Sequence, residues 1–477
     1  MTVKRILTQP SLCLLVQAVI VFALLIALGR AEVHQTPDSV GYLRFQMTSL
    51  AEALGQMRSI GYPLFLKAVR AISPGLSALP YVQILLFFSA AVLFYQALAG
   101  LRFSEWMAFA ATSPLFYERL VWHYGSFVMA DLPAAAFALM AVSCLFFVIS
   151  SFGGVMAWIG LTLFVFLAYQ IRPAYVFLVP LAPALAFVLM KIRQSKTHER
   201  RPIRRAVTAT VLTTFLPLLA FCGLRHATVG HFGLVSFAGV EQVGITTQFL
   251  TKAMIERFDP ELRPLAKAVL EAREREGLGV PDGMSMFPMP QFMDYYMAHQ
   301  QLVCDTIRAV ELRRGKSGGS PGRPSFGGSP DDQAEVDRWA QRLAWATFCA
   351  RPGIHALYYT KAFFYSVSFS LYAEGLITAL LLILFGIFLF RITWGQRINL
   401  RSNGPERSGL AVMQQLGALV CLAGLFFFSK ILLATAVVAP AGRVLIAASV
   451  FIPCALGATI LMALRAGFAV EESRLDA

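Results

Sequence analysis

Apolar residues fall in long unbroken blocks along this chain, without the strict alternation of a half-exposed strand. Blocks near twenty residues cross the hydrocarbon core of a bilayer as helices, because lipid leaves backbone polar groups only each other as partners. The pattern predicts spans over residues 11–29, 79–99, 104–118, 127–149, 154–171, 173–190, 206–224, 373–391, 410–429 and 443–464. The expected fold is an all-α polytopic membrane protein with about ten transmembrane helices. The fifth and sixth spans meet at "QIRPAY", where Arg172 and Pro173 form a tight turn.

Two polar stretches interrupt the pattern and divide the chain into modules 1–224, 225–372 and 373–477. The first stretch, the loop 30–78, carries "SVGYLRFQMTSLAEAL" and "YPLFLKAVRAI". Their apolar residues recur at helical spacing, with Arg44, Lys67 and Arg70 on the other face, as in helices lying along a membrane interface. The second is the long insertion 225–372, mainly helical in pattern, with a Gly-, Ser- and Pro-rich loop, "RRGKSGGSPGRPSFGGSPDD", inside it. No internal repeat is visible, which counts against a transporter built from inverted repeats.

Composition agrees with the spans. The 477 residues are 57% hydrophobic and 14% charged, where a soluble chain carries about a quarter charged. The mean hydropathy is +0.63. A net charge of +14 would suit nucleic acid, but its placement points elsewhere. The basic runs "KIRQSKTHERRPIRR" and "RITWGQRINLRSNGPER" sit between apolar blocks, as cytoplasmic loops do. Both termini are then cytoplasmic, the loop 30–78 and the insertion lie outside, and nucleic acid is not an expected partner. The first apolar block lacks a small-x-small cleavage site and reads as an uncleaved helix. Cys304 and Cys349 fall in the insertion, where a disulfide could form if it lies in an oxidising compartment.

Ionisable groups near or inside spans are costly and mark function. That set is Asp38, Asp131, Arg172, Lys430 and Arg443. Each has a plainer reading. Asp38, after Pro37, could cap the helix that follows. Asp131 could cap the fourth span or pair with Arg119 or His123. Arg172 and Arg443 could anchor span ends by snorkelling.

Taken together, the motifs resemble the GT-C superfamily of polytopic glycosyltransferases, which includes protein O-mannosyltransferases and lipid A aminoarabinose transferases. "PDSVGYL" and then "RSIGYPLFLKAVRAI" resemble that family's first outer loop, with Asp38, Tyr42 and Gly61-Tyr62-Pro63 at its motif positions. "HYGSFVMADLPAAAFAL" places Asp131 in its next acidic element, and "YQIRPAYVFLVP" resembles its "RP" turn at Arg172. "GHFGLVSFAGVEQVG" is similar to the lead into the outer domain, with Glu241 where Asn is common. "ARPGIHALYYTKAFF" is similar to the way out, and "APAGRVLIAASVFIP" to a late helix start at Arg443. Two departures stand out: Ser39 occupies the place where many members carry a second acid, and Glu and Tyr are missing around Arg443.

The resemblance implies inverting transfer of a sugar from a polyprenyl-phosphate donor to a hydroxyl of a lipid, glycan or protein. The reaction would take place at the periplasmic face of a bacterial inner membrane. Asp38 is the expected base, with Asp131 as a second catalytic acid that orients the sugar or a cation. Tyr42, Arg58, Tyr62, Lys67, Arg172 and Arg443 are the expected substrate-binding residues, since fixed cations stabilise a departing phosphate. No cofactor or metal ligand set is indicated, although a divalent metal is compatible with the family. Two other readings use the same features. A lipid-linked sugar flippase would need charges near the bilayer midplane. An O-antigen ligase or polymerase would rely on outer arginines and histidines such as His226, His231, His299 and His355.

Overall fold

The computed structural model describes residues 9–150, 154–193, 200–278, 289–313, 330–372, 375–393, 407–437 and 445–475. Among these residues the fold is helical throughout, and the one β feature is an isolated bridge between His34 and Phe127. Seven helices are long and apolar enough to cross a membrane: Gln9–Ala27, Leu79–Gly100, Asp131–Ser150, Gly154–Ile171, Pro173–Ile192, Ile203–Val229 and Val412–Val437. The chain is a membrane protein of the all-α class.

The membrane bundle contains α1 (Gln9–Ala27), α5 (Leu79–Gly100), α8 (Asp131–Ser150), α9 (Gly154–Ile171), α10 (Leu178–Arg193) and α11 (Arg200–Val229). From the C-terminal part come α17 (Pro352–Tyr372), α18 (Gly375–Thr393), α19 (Arg407–Val437) and α20 (Ile452–Leu475). At its centre is α8, whose buried residues include Ala134, Ala135, Ala136, Ala138 and Ala141. Small side chains let helix backbones approach closely, which is what holds helices together where lipid competes for apolar contact.

The expected span 104–118 is not one helix. It comprises α6 (Glu105–Thr112), a 3-10 turn at Ser113–Tyr117 and α7 (Arg119–Tyr124). Pro114 removes a backbone donor and crowds the preceding turn, so a continuous helix breaks there. The pieces still travel the length of the bundle. Gln83, early in α5, donates to the carbonyls of Gly125 (3.0 Å) and Phe127 (3.1 Å), just before α8. Gly100, at the far end of α5, faces Phe147 and Ser150 late in α8. Thus α5 and α8 run parallel, and the chain between them must return. On the way, Ser113 Oγ accepts from Gln17 of α1 at 2.7 Å, and Phe116 packs edge-on against Phe88.

The other C-terminal expectations shift as well. The helix α17 and the stretch Gly375–Leu384 meet at 71°, so the segment expected as a straight span at 373–391 begins at a bend. The span expected at 443–464 corresponds to an apolar stretch at Ile452–Leu464, and Arg443 lies outside the described residues.

The loop 30–78 folds into α2 (Pro37–Leu43), α3 (Leu50–Gly55) and α4 (Gly61–Ile72). The amphipathic reading of α4 holds: Tyr62, Pro63, Leu66 and Val69 are buried, while Lys67 and Arg70 are exposed. The insertion contains α12 (Ala238–Thr246), α13 (Lys252–Ile255), α14 (Arg263–Arg275), α15 (Met289–Arg313) and α16 (Pro330–Ala350). It has its own apolar core, including Val243, Leu265, Val269, Ile307 and Leu343, and Met57 of the first loop packs against that core. Arg225, fully buried near the end of α11, ties these parts together. Its guanidinium donates to Leu54 O, Gly233 O and Ser236 Oγ, each at 2.8 Å. Cys304 is buried in the insertion and Cys349 exposed, and both are free thiols, contrary to a disulfide between them.

Candidate functional site

The segment around Asp38 is fixed before any charge is considered. Thr36, in extended conformation, is the N-cap of α2, and it forms a capping box with Ser39. The Thr36 backbone N–H donates to Ser39 Oγ at 2.8 Å, and Ser39 in turn donates to Val128 O at 2.9 Å. His34 and the strand-like segment ahead of α8 exchange two further bonds, His34 N to Ser126 O and Val128 N to His34 O, each 2.9 Å. Capping therefore falls to Thr36 and not to Asp38. The serine in place of a second acid is a buried anchor that joins α2 to the start of α8.

Relieved of capping, the Asp38 carboxylate accepts from Arg58 Nη2 at 2.8 Å, with both side chains partly exposed. The guanidinium lies over the Tyr42 ring at 5.1 Å and the Phe237 ring at 5.8 Å. Burial pulls against the Arg58 charge, but Tyr42, Asp38 and Glu241 outweigh it and hold its pKa above the ordinary value. Tyr42 meets Tyr62 edge-on at 4.8 Å. Tyr62 has no exposed surface and donates to Gln83 Oε1 at 3.2 Å. Burial, with Tyr42 adding to it, pushes the Tyr62 phenol well above its usual range, so this hydroxyl stays neutral. Tyr62 is thus a pillar beneath Tyr42, and Tyr42 is the ring presented to the Asp38–Arg58 pair.

A second pair lies where α4 backs onto the end of α9. Ser59 donates to Ile171 O at 3.3 Å. A Cβ on Gly61 would lie 2.5 Å from the carbonyl carbon and oxygen of Gln170, so glycine is required for this approach. The next residue in that chain, Arg172, forms an ion pair with Asp131 at the first turn of α8. Both members are largely buried, at 15% and 5% side-chain exposure, so each charge depends on the other. Asp131 is accordingly taken by Arg172, and not by Arg119 or His123. Lys430 of α19 is buried too, with Nζ 3.7 Å from the Tyr175 ring centroid and 5.4 Å from that of Phe177. Arg172 lies within the electrostatic reach of Tyr175 and Lys430.

Of the expected site residues, Asp38, Tyr42, Arg58 and Tyr62 thus form one contact group, and Asp131 and Arg172 a second one that abuts it through Ser59 and Gly61. Lys67 is on the exposed face of α4, apart from both pairs. Two of the four histidines are otherwise engaged. His299 Nε2 lies 2.7 Å from Leu278 O, and burial drives its pKa down to about 4. His355 Nδ1 lies 2.9 Å from Arg351 O, and its ring packs on Phe249 and Phe348. Sequence reasoning missed Gln83, Arg225 and Ser39 as the parts that hold the site. Gln83 had a signal, an amide inside an apolar block; Ser39 had none beyond its spacing from Thr36. Among the described residues no three His, Cys, Asp or Glu side chains gather into a metal-binding group. Comparison with family models, curated proteins and solved structures finds no match to the chain.

Proposed function

We propose that the protein is a membrane glycosyltransferase of the GT-C type, acting on a polyprenyl-phosphate-linked sugar. The observation that carries this reading is the docking of the Gly61 helix on the Arg172 turn. It brings Asp38 of the first loop and Arg172 to one end of the bundle, an acid and an arginine of the kinds that transfer from a lipid phosphate would use.

In this reading the acceptor hydroxyl oxygen attacks the anomeric carbon, and the bond from that carbon to the phosphate oxygen breaks. The hydroxyl proton passes to Asp38, and the electron pair leaves with the lipid phosphate. Arg172 supplies fixed positive charge for that phosphate, and arginine can grip two of its oxygens at once. Asp131 holds Arg172 in place and the Tyr42 ring borders the acceptor. Attack opposite the leaving group makes the transfer inverting.

The contacts also support ten passes with the site outside. The chain returns between α5 and α8 in broken form. Gln415, early in α19, donates to Arg102 O at the end of α5, whereas Lys430 lies near the Arg172 turn. Counting α1, the broken pass, the bent α17–α18 and α20 with the continuous helices puts both basic runs at the end away from Asp38. Basic loops are cytoplasmic, so Asp38 faces outward.

The test is Asp38→Asn in purified protein, with transfer from a synthetic polyprenyl-phosphate sugar to membrane acceptors. Loss of turnover by at least about 100-fold with unchanged thermal stability is expected for a general base. Near-normal transfer would remove Asp38 as the base. An O-antigen ligase reading predicts instead that joint replacement of His226 and His231 abolishes activity.

A further inference from the structure

A base clamped by arginine poses a problem, because a full ion pair makes a carboxylate a poor proton acceptor. The surroundings of Arg58 contain a remedy. Its guanidinium lies over the rings of both Tyr42 of α2 and Phe237, the residue just ahead of α12. The Glu241 amide donates back to Phe237 O at 3.1 Å, so Glu241 stands one helical turn on, on the Phe237 side of α12. Met57, adjacent to Arg58 in sequence, packs against the insertion core, which holds Arg58 beside α12. The Arg58 charge is favoured by Tyr42, by Asp38 and, in smaller measure, by Glu241.

We infer that Glu241 shares the Arg58 guanidinium with Asp38 and so sets how firmly the proposed base is held. Glu241 is then a positioning residue, and the missing second acid of the first loop is supplied across the gap by the insertion. Arginine suits this place because its planar fork presents five donors and can serve two carboxylates at once. The site therefore depends on a docked insertion: when α12 is seated, Arg58 is divided between two acids and Asp38 is a stronger base.

Few other charges face this arrangement. Tyr42 and Tyr62 flank it from α2 and α4. From α16, Asp337 accepts from the amides of Gly239 and Val240 at the start of α12, with Arg225 in its field. From α15, Cys304 lies in the field of Glu241, and Asp305 pairs with Arg308 beyond it. Of these, Tyr42 also favours the Arg58 charge, through its ring beneath the guanidinium.

The inference rests on Asp38 being the base, and its test has a readout free of that assumption. Full-length protein in detergent is treated with a carbodiimide and a small amine across a pH series. The modification of Asp38, which is one-quarter exposed, is followed by mass spectrometry to give its protonation midpoint. Glu241→Gln should lower that midpoint by roughly one unit, as removal of a nearby like charge does. Arg58→Gln should raise it, and in the Arg58→Gln background the effect of Glu241→Gln should shrink to less than half. Glu241→Asp should stay near the wild type. The acidic limb of transfer activity should move with the midpoint, and the plateau of Glu241→Gln should fall severalfold. A midpoint unmoved in folded Glu241→Gln, or a shift equally large without Arg58, would overturn the sharing. If Asp38→Asn still transfers sugar while the midpoints move as stated, the sharing stands and only the catalytic reading of Asp38 falls.

Discussion

Gly61→Ala is the sharpest probe of whether the two ion pairs work as one site. The added Cβ would sit 2.5 Å from Gln170 C and O and 2.7 Å from Ile171 N, where ordinary contact begins at 3.4 Å. The obstacle is backbone, so no side chain can rotate away. Either α4 lifts from α9 or the turn bearing Arg172 recedes, by roughly 1 Å. Overpacking of this kind costs about 1–3 kcal/mol. A misplacement of roughly 1 Å between reacting groups can lower a rate by about 100-fold. The expected result is a clear fall in melting temperature and a larger proportional fall in turnover, with donor binding much less affected.

Two controls isolate the cause. Gly41→Ala places its Cβ 3.3 Å from Arg58 Nε, a flexible side chain that can yield by tenths of an ångström. Gly75→Ala meets nothing within 4 Å. Both are expected to stay near wild type in stability, and Gly75→Ala in turnover also. Thermal unfolding in detergent and transfer in reconstituted vesicles would be measured for all three. If Gly61→Ala melts and turns over like Gly75→Ala, the close approach does not position Arg172, and the single-site reasoning fails.

Further expectations concern the supports. Asp131→Asn removes the carboxylate facing the largely buried Arg172 charge, and should destabilise by about 3–5 kcal/mol; adding Arg172→Gln should recover stability but not transfer. Arg225→Met strips donors from Leu54 O, Gly233 O and Ser236 Oγ, and should make the insertion markedly easier to cleave in limited proteolysis. Asp337 has its pKa raised from 3.8 to about 6 by burial, against the bonds from Gly239 and Val240. The folded state thus binds this proton more tightly than the unfolded chain. Its contribution is complete below the unfolded value and is lost as pH rises through the folded one. Wild-type protein should therefore gain about 1 kcal/mol over Asp337→Asn on going from pH 7.5 to pH 5; parallel stability curves for the two would refute this.

The hydrophobic blocks were sufficient for the helical class and, among the described residues, for seven helices long and apolar enough to cross, because a bilayer demands length and apolarity and little else. They were blind to the break at Pro114, since averaging over a window does not register a single missing donor. The amphipathic face of α4 was readable because Tyr62, Leu66 and Val69 repeat at helical spacing and are buried, while Lys67 and Arg70 are exposed. Pairing was not readable. Asp131 had Arg119 and His123 nearer in sequence, yet took Arg172 because α8 and the end of α9 meet where Gly61 closes on Gln170.

Ser39 shows most clearly how local chemistry misleads when read one residue at a time. Against a pattern that pairs two acids it is a defect beside Asp38. In three dimensions its hydroxyl is engaged with Thr36 and Val128, and a carboxylate there would be buried against the Val128 carbonyl oxygen. Ser39→Asp should therefore destabilise the protein and not strengthen it, because a buried acid facing an acceptor must be protonated to fit. In the proposed sharing the second acid is Glu241 of the insertion, the element that brings Phe237 onto Arg58. A Ser39→Asp protein as stable and active as wild type would show that Ser39 is no anchor, and would reopen the first loop as the place for an acidic pair.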